Sequence, residues 1–290
     1  MHTTTPMQTA GERLAARLQD AAPVCVGLDP VATRLPDTID GADPVKAIER
    51  FSNGVLDAVA GVVPCIKIQA ACFERYGHLG VAAMERVIAR ACDAGFVVIF
   101  DAKRGDIGIS ATHYAAGAAA TGADWITLNG YLGEDGITPF LDAGLGVFVL
   151  VRTSNPSGDE IQAPVCGDGT VAGLVAGMVD RLGRGNGRSG PASVGAVVGA
   201  TKPEAAATLR ARMPEAPFLL PGYGAQGGGA EGVQAALDGD GGGVLVTASR
   251  SIIHAFVDRP GDWKTAVHEA AVDFAGAIRG IVSDATGGAD

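Results

Sequence analysis

Eight short, continuous apolar runs recur along the chain, separated by longer segments with helical spacing. They lie at residues 24–28, 65–68, 97–100, 125–128, 147–151, 194–198, 218–220 and 244–246. A strand with one wet face alternates apolar and polar residues. An unbroken apolar run must be covered on both faces, as in a parallel sheet flanked by helices. Between the runs, residues 80–94 place Val81, Met84, Val87, Ile88 and Ala91 at helical spacing. The pattern predicts an α/β fold, a single-domain (β/α)8 barrel of the TIM type over residues 1–290. A doubly wound open sheet is the alternative. It is disfavoured because no Gly-x-Gly-x-x-Gly follows the first run, which ends Gly27-Leu28-Asp29-Pro30. Residues 8–20 predict a helix ahead of the first strand, and 184–193 a Gly/Ser/Pro-rich surface loop. The small, polar tail is expected to fray from about Ser283.

Composition narrows the functional classes. A chain of 290 residues that is 47% hydrophobic can bury one large core. Its net charge of −10 opposes nonspecific nucleic-acid binding, which is built from Lys and Arg, yet leaves room for a local phosphate site. The five cysteines (25, 65, 72, 92 and 166) are odd in number and form no C-x-x-C pair, so a reduced protein without disulfides is expected. The five histidines show no metal-ligand spacing, so no zinc site is expected. No apolar stretch reaches the roughly 20 residues of a membrane span, and no basic segment precedes an apolar one at the N-terminus. The expectation is a cytoplasmic protein with no membrane partner.

Barrels of this kind carry their chemistry where strands end. The first run ends at Asp29, and the second contains Lys67. The third ends in Asp101-Ala102-Lys103-Arg104-Gly105-Asp106, and the fifth in Arg152-Thr153-Ser154-Asn155. The chain has only five lysines against 17 arginines, and two of the five lie in or directly after apolar strands. A buried ammonium must be paired, and Asp29, Asp101 and Asp106 are the candidate partners. A structural ion-pair network at the barrel mouth explains either lysine alone; it explains the whole array at strand ends less well.

A second constellation follows the seventh and eighth runs. Residues 220–229 (LPGYGAQGGG) are rich in glycine, and the eighth run continues Thr247-Ala248-Ser249-Arg250. These two loops form the usual phosphate site of such barrels. Glycines let backbone N–H groups approach an anion, a following helix N-terminus adds positive potential, and Arg250 can clamp phosphate oxygens. A flexible turn beside a surface arginine is the plainer reading.

The run Phe100-Asp-Ala-Lys-Arg-Gly-Asp-Ile-Gly108 resembles the signature of the orotidine 5′-phosphate decarboxylase family in its longer bacterial form. The resemblance spans essentially the whole chain. Val26-Gly-Leu-Asp-Pro30, Ile66-Lys67, Thr127-Leu-Asn129, Thr153-Ser-Asn-Pro156, Val198-Gly-Ala-Thr201, Pro221-Gly-Tyr-Gly-Ala-Gln-Gly-Gly228 and Arg250-Ser-Ile252 follow in the expected order. Two positions depart from the pattern. Ile107-Gly-Ile-Ser110 stands where Ile-Gly-Ser-Thr is usual, and Asn129-Gly-Tyr131 where Asn-Pro-Tyr is usual.

The resemblance implies decarboxylation of orotidine 5′-monophosphate (OMP) to uridine 5′-monophosphate (UMP) in pyrimidine biosynthesis, with no metal and no organic cofactor. It implies Lys103 as proton donor, Asp101 as the carboxylate that holds it, and Lys67 as a bridge from Asp101 to the ribose. Asp29 would accept a ribose hydroxyl, and Ser110 keeps a hydroxyl for a ribose contact. Ser154 and Gln226 would read the pyrimidine edge, with Gly222, Gly224, Gln226 and Arg250 around the phosphate. Asp106 would reach the partner's site in a homodimer with shared active sites. Two rivals remain. A sister sugar-phosphate decarboxylase or hexulose-phosphate synthase would use Mg²⁺, which Lys67 would repel where those enzymes place a carboxylate. A non-catalytic nucleotide-binding barrel would need the phosphate site but not the lysine–aspartate array.

Overall fold

The computed structural model describes residues 8–167, 169–184, 190–224 and 227–287. Eight parallel strands close into a barrel in chain order. They are β1 (Val24–Leu28), β2 (Cys65–Gln69), β3 (Val97–Arg104), β4 (Trp125–Asn129), β5 (Gly146–Arg152), β6 (Val194–Val198), β7 (Phe218–Pro221) and β8 (Val244–Ala248). Each apolar run of the sequence falls within one strand. The outward-facing residues pack under the helices, and the inward-facing ones fill the barrel, which is why the runs do not alternate.

The lower barrel interior is apolar and close-packed. Cys25, Cys65, Val97, Ile99, Val197, Leu219 and Leu245 surround Trp125 and Phe148, whose rings stack 4.4 Å apart. Two glycines give those rings room: a Cβ on Gly146 would lie 2.5 Å from the Trp125 ring, and one on Gly195 would lie 2.7 Å from Phe148. The expected N-terminal helix forms over Ala10–Leu18. Thr9 and Glu12 close a capping box at its start, and Ala10 and Leu14 plug the barrel floor. Arg13 pairs there with Asp124, whose carboxylate also accepts the Val98 N–H at 2.7 Å.

The helix anticipated over 80–94 runs from Gly77 to Asp93 and buries Met84, Val87, Ile88 and Ala91. The last helix spans Trp263–Thr286; Phe274, Ala275 and Ile278 pack it onto the barrel, while residues 283–287 are exposed. Of the 184–193 loop, residues 185–189 lie outside the described residues. No helix among the described residues is long and apolar enough to cross a membrane.

A buried arginine that the sequence did not flag braces the barrel floor. Arg210 lies in the last turn of the helix Pro203–Arg212 and donates to the carbonyls of Ala236, Met213, Ala216 and Gly243 at 2.8–2.9 Å, with its guanidinium 3.7 Å from the Phe218 ring centre. Burial lowers its pKa to about 10, partly countered by Asp238.

Candidate active site

On each strand, residues two apart face the same side. Above the apolar floor the inward positions turn polar: Cys65 is followed by Lys67 on β2, Ile99 by Asp101 and then Lys103 on β3, Trp125 by Thr127 on β4, and Leu245 by Thr247 on β8. These side chains form one wall and floor of a cavity of about 460 Å³ at the C-terminal ends of the strands. That volume suits a small-molecule site.

Asp101 is its electrostatic centre. Oδ2 accepts from Lys67 Nζ at 2.7 Å and Gln69 Nε2 at 3.1 Å. Oδ1 accepts from Lys103 Nζ at 2.6 Å and Thr127 Oγ1 at 2.8 Å. Lys67 Nζ also stands 3.7 Å from Asp29 Oδ1. Cations and carboxylates therefore alternate in the order Asp29, Lys67, Asp101, Lys103. Burial would push the Asp101 carboxyl up, but the Lys67 and Lys103 charges outweigh it and hold its pKa down at about 2. For Lys67, burial favours the neutral amine, yet Asp29 and Asp101 together raise its pKa above the ordinary lysine value. Asp106 was a third candidate partner; it pairs with neither lysine.

Lys103 has φ +46°, the only positive φ of a non-glycine residue among the described residues. A left-handed lysine costs on the order of 1–3 kcal/mol and persists only where the surroundings enforce it. Its side chain is about half exposed, at 47%, so its ammonium faces the open cavity with one carboxylate at its side. Asp29 Oδ1 is buried without a hydrogen bond, with Lys67 Nζ 3.7 Å away.

The opposite wall comes from β5 to β8. Thr153, Ser154 and Asn155 line it, and Arg152 does not. Arg152 instead turns into the following loop, 2.8 Å from Asp159 and 3.2 Å from Gln162. Gln162 also accepts the Thr153 N–H at 2.9 Å, which pins the segment carrying Ser154. Gly199 lets β6 close in from the other side, since a Cβ there would meet Ser154 atoms at 3.1–3.2 Å.

At the end of β7 and β8, Gly222, Tyr223, Ser249, Arg250 and Ser251 line the cavity. Two expectations change here. Gly224 does not line it, and its N–H donates to the Gly228 carbonyl at 2.8 Å, so it shapes the turn rather than offering a donor to an anion. The helix after β8, Arg250–Ile253, is four residues long, so Arg250 carries the positive potential more than a helix end does. Gln226 lies outside the described residues.

Asp106 and Ser110 do not line the cavity. Asp106 accepts the Ile107 N–H at 2.8 Å, and Ser110 lies in the first turn of the helix Gly108–Ala120. Four large apolar side chains in the segments after β3 and β4, Ile107, Ile109, Tyr131 and Leu132, are exposed. Sequence reasoning missed Gln69 and took Thr127 only as part of a matching segment, with no role; both contacts arise only where β2, β3 and β4 converge.

Residues 22–261 match the family model described as the orotidine 5′-phosphate decarboxylase/HUMPS family. An orotidine 5′-phosphate decarboxylase from Rhodopirellula baltica is 38% identical over 301 residues, covering 94% of this chain and 100% of its own. One from Haloarcula marismortui is 42% identical over 253 residues, covering 85% and 87%. The solved structure of Leishmania donovani OMP decarboxylase superposes with a TM-score of 0.80 at 32% identity, covering 95% of this chain and 99% of that one.

Proposed function

The chain belongs to the orotidine 5′-phosphate decarboxylase/HUMPS family, and from that premise we propose that it decarboxylates OMP to UMP without metal or organic cofactor, using Lys103 as the proton donor. The observation that carries the proposal is the alternating array Asp29, Lys67, Asp101, Lys103 on one side of a cavity with Arg250 on its rim.

Loss of CO₂ breaks the bond from C6 of the pyrimidine to its carboxylate and leaves the electron pair on C6. That carbon has no ring carbonyl in conjugation to take up the charge, so stabilisation must come from a cation already in place. Lys103 Nζ supplies it and then delivers a proton to C6, giving UMP; the neutral amine regains a proton from solvent. Asp101 keeps Lys103 fixed and charged. Lys67 neutralises Asp101 from below and reaches toward the ribose, and Asp29 accepts a ribose hydroxyl. Ser154 and Gln226 address the pyrimidine edge. Gly222 and Arg250 take the phosphate, where a guanidinium makes paired, charge-assisted hydrogen bonds. Lys67 also argues for the cofactor-free route, because its ammonium fills the space between Asp29 and Asp101 that a divalent cation would need.

The working unit is a homodimer with shared sites. Asp106 stands outside its own cavity, and Ile107, Ile109, Tyr131 and Leu132 in the segments after β3 and β4 are exposed. Exposed apolar side chains of this kind favour a partner. In the dimer, Asp106 and the Ser110 hydroxyl serve the ribose side of the neighbouring site. An acidic protein with no membrane-spanning helix among the described residues fits a cytoplasmic place for this step.

A spectrophotometric decarboxylation assay with OMP in EDTA tests the proposal. Undiminished turnover is expected. Activity abolished by EDTA and restored by Mg²⁺ would favour the metal-dependent sister chemistry.

A further inference from the structure

We infer that Thr127 is a positioning residue for this reaction, its hydroxyl locking the Lys103 backbone and the Asp101 carboxylate into one frame. The inference rests on the reading of Lys103 as proton donor.

The starting point is an irregularity in the sheet. Phe100 of β3 pairs with Ile126 of β4, yet Arg104 pairs with Leu128, so β3 advances four residues while β4 advances two. The surplus residues bulge, and a bulge takes backbone groups out of the regular ladder. Asp101, Ala102 and Lys103 are the residues involved, and Lys103 takes the left-handed conformation there.

Thr127 repairs the break. The Lys103 N–H donates to Thr127 Oγ1 at 2.9 Å in place of a ladder carbonyl. The same hydroxyl donates its single hydrogen to Asp101 Oδ1 at 2.8 Å, and that oxygen also accepts from Lys103 Nζ at 2.6 Å. The contacts close a ring: Lys103 N–H to the Thr127 hydroxyl, the hydroxyl to Asp101, and Asp101 back to the Lys103 ammonium. One hydroxyl can fill both roles because it donates once and accepts as well. Thr127 is 1% exposed, so water cannot readily replace it. Its β-branched side chain has few rotamers to explore. An ordinary buried threonine satisfies itself locally; here both bonds cross to the strand that bears the proton donor.

The ring fixes where the ammonium stands relative to C6. Without the hydroxyl, the Lys103 N–H has no acceptor, the left-handed turn loses its restraint, and Asp101 can rotate about its χ2. Misplacing a reacting group lowers rate far more than binding, because ribose and phosphate are held by other residues.

The test compares wild type with Thr127→Val, which keeps the shape without the hydroxyl, and Thr127→Ser, which keeps the hydroxyl. Thr127→Ala serves as a second hydroxyl-free variant should the valine protein fail to fold. Thr127→Val should lower kcat for OMP by about ten- to a hundredfold, with KM and the UMP dissociation constant changed by no more than about threefold. Thr127→Ser should recover kcat to within about fivefold of wild type. A hydroxyl-free variant with near-wild-type kcat, or a serine variant as impaired as the valine one, would overturn the inference. A crystal structure of the hydroxyl-free variant reads the same point without activity. Lys103 should leave its left-handed φ or its Nζ should part from Asp101, and unchanged geometry at both would refute the assignment. Inactivity of the wild type toward OMP is a separate result, and would overturn the decarboxylase reading instead.

Discussion

Asp101 accepts from two ammonium groups and two neutral donors, and its titration follows from that crowding. Its pKa is depressed from the ordinary carboxylate value of 3.8 to about 2. A depressed carboxyl contributes stability above its unfolded-state pKa and loses it as pH falls through the folded one. The contribution should be about 2 kcal/mol near neutrality. Asp101→Asn should therefore be less stable in urea than wild type at pH 7, with the gap narrowing as the pH falls below about 4. A gap that does not change with pH would mean that ionisation of Asp101 is not its source. Arg250 permits a second residue-scale prediction. Arg250→Ala should weaken nucleotide binding by about 2–4 kcal/mol while hardly altering binding of the bare nucleoside. Isothermal titration with UMP and uridine reads the difference; equal losses for both would remove Arg250 from the phosphate site.

At the scale of elements, the helix Pro203–Arg212 is joined to the starts of β7 and β8 by one side chain. Arg210 donates to four backbone carbonyls; Gly243 O also accepts the Phe218 N–H and Met213 O the Ala216 N–H, whereas the buried Ala236 and Ala216 carbonyls rely on the guanidinium. Arg210→Leu keeps the apolar stem but leaves the Ala236 and Ala216 carbonyls without a donor, and should destabilise the protein by about 2–4 kcal/mol. Denaturant unfolding measures this. Because the lesion is on the barrel floor, the protein that remains folded should bind UMP as wild type does; a lost UMP affinity would show that the floor and the site are coupled.

The whole molecule is where the shared-site proposal can be tested. Lys103→Ala removes the proton donor, and Asp106→Ala removes the carboxylate assigned to the partner's site. Each variant alone should turn over very slowly. In a mixed dimer one site collects both lesions and the other collects neither. Random exchange makes half the dimers mixed, so the mixture should regain up to about a quarter of wild-type activity. Mass spectrometry establishes that subunits have exchanged. If they have and no activity returns, Asp106 acts within its own chain.

Hydrophobic periodicity is local in sequence, and so the strands and the alternation that makes a barrel were legible before any coordinates. Each run at 24–28 through 244–246 lies within a strand because a both-sides-buried strand has nowhere to put a polar side chain in its lower half. Lys67 and Lys103 stood out for the same reason: a lysine in or directly after an apolar run needs a partner, and the acidic residues at neighbouring strand ends were few. What the sequence could not determine depends on which strands meet and in what register. Thr127 reads as an ordinary strand threonine until the β3 bulge brings the Lys103 N–H and Asp101 to its hydroxyl. Gln69 is one more polar residue after a strand until it lies 3.1 Å from Asp101. Gly224 passes for a phosphate donor until its N–H is seen to close a turn onto Gly228. A hydrogen bond is decided by position and direction to within a fraction of an ångström, and only the closed barrel, which carries residues far apart in the chain to one cavity, sets those positions.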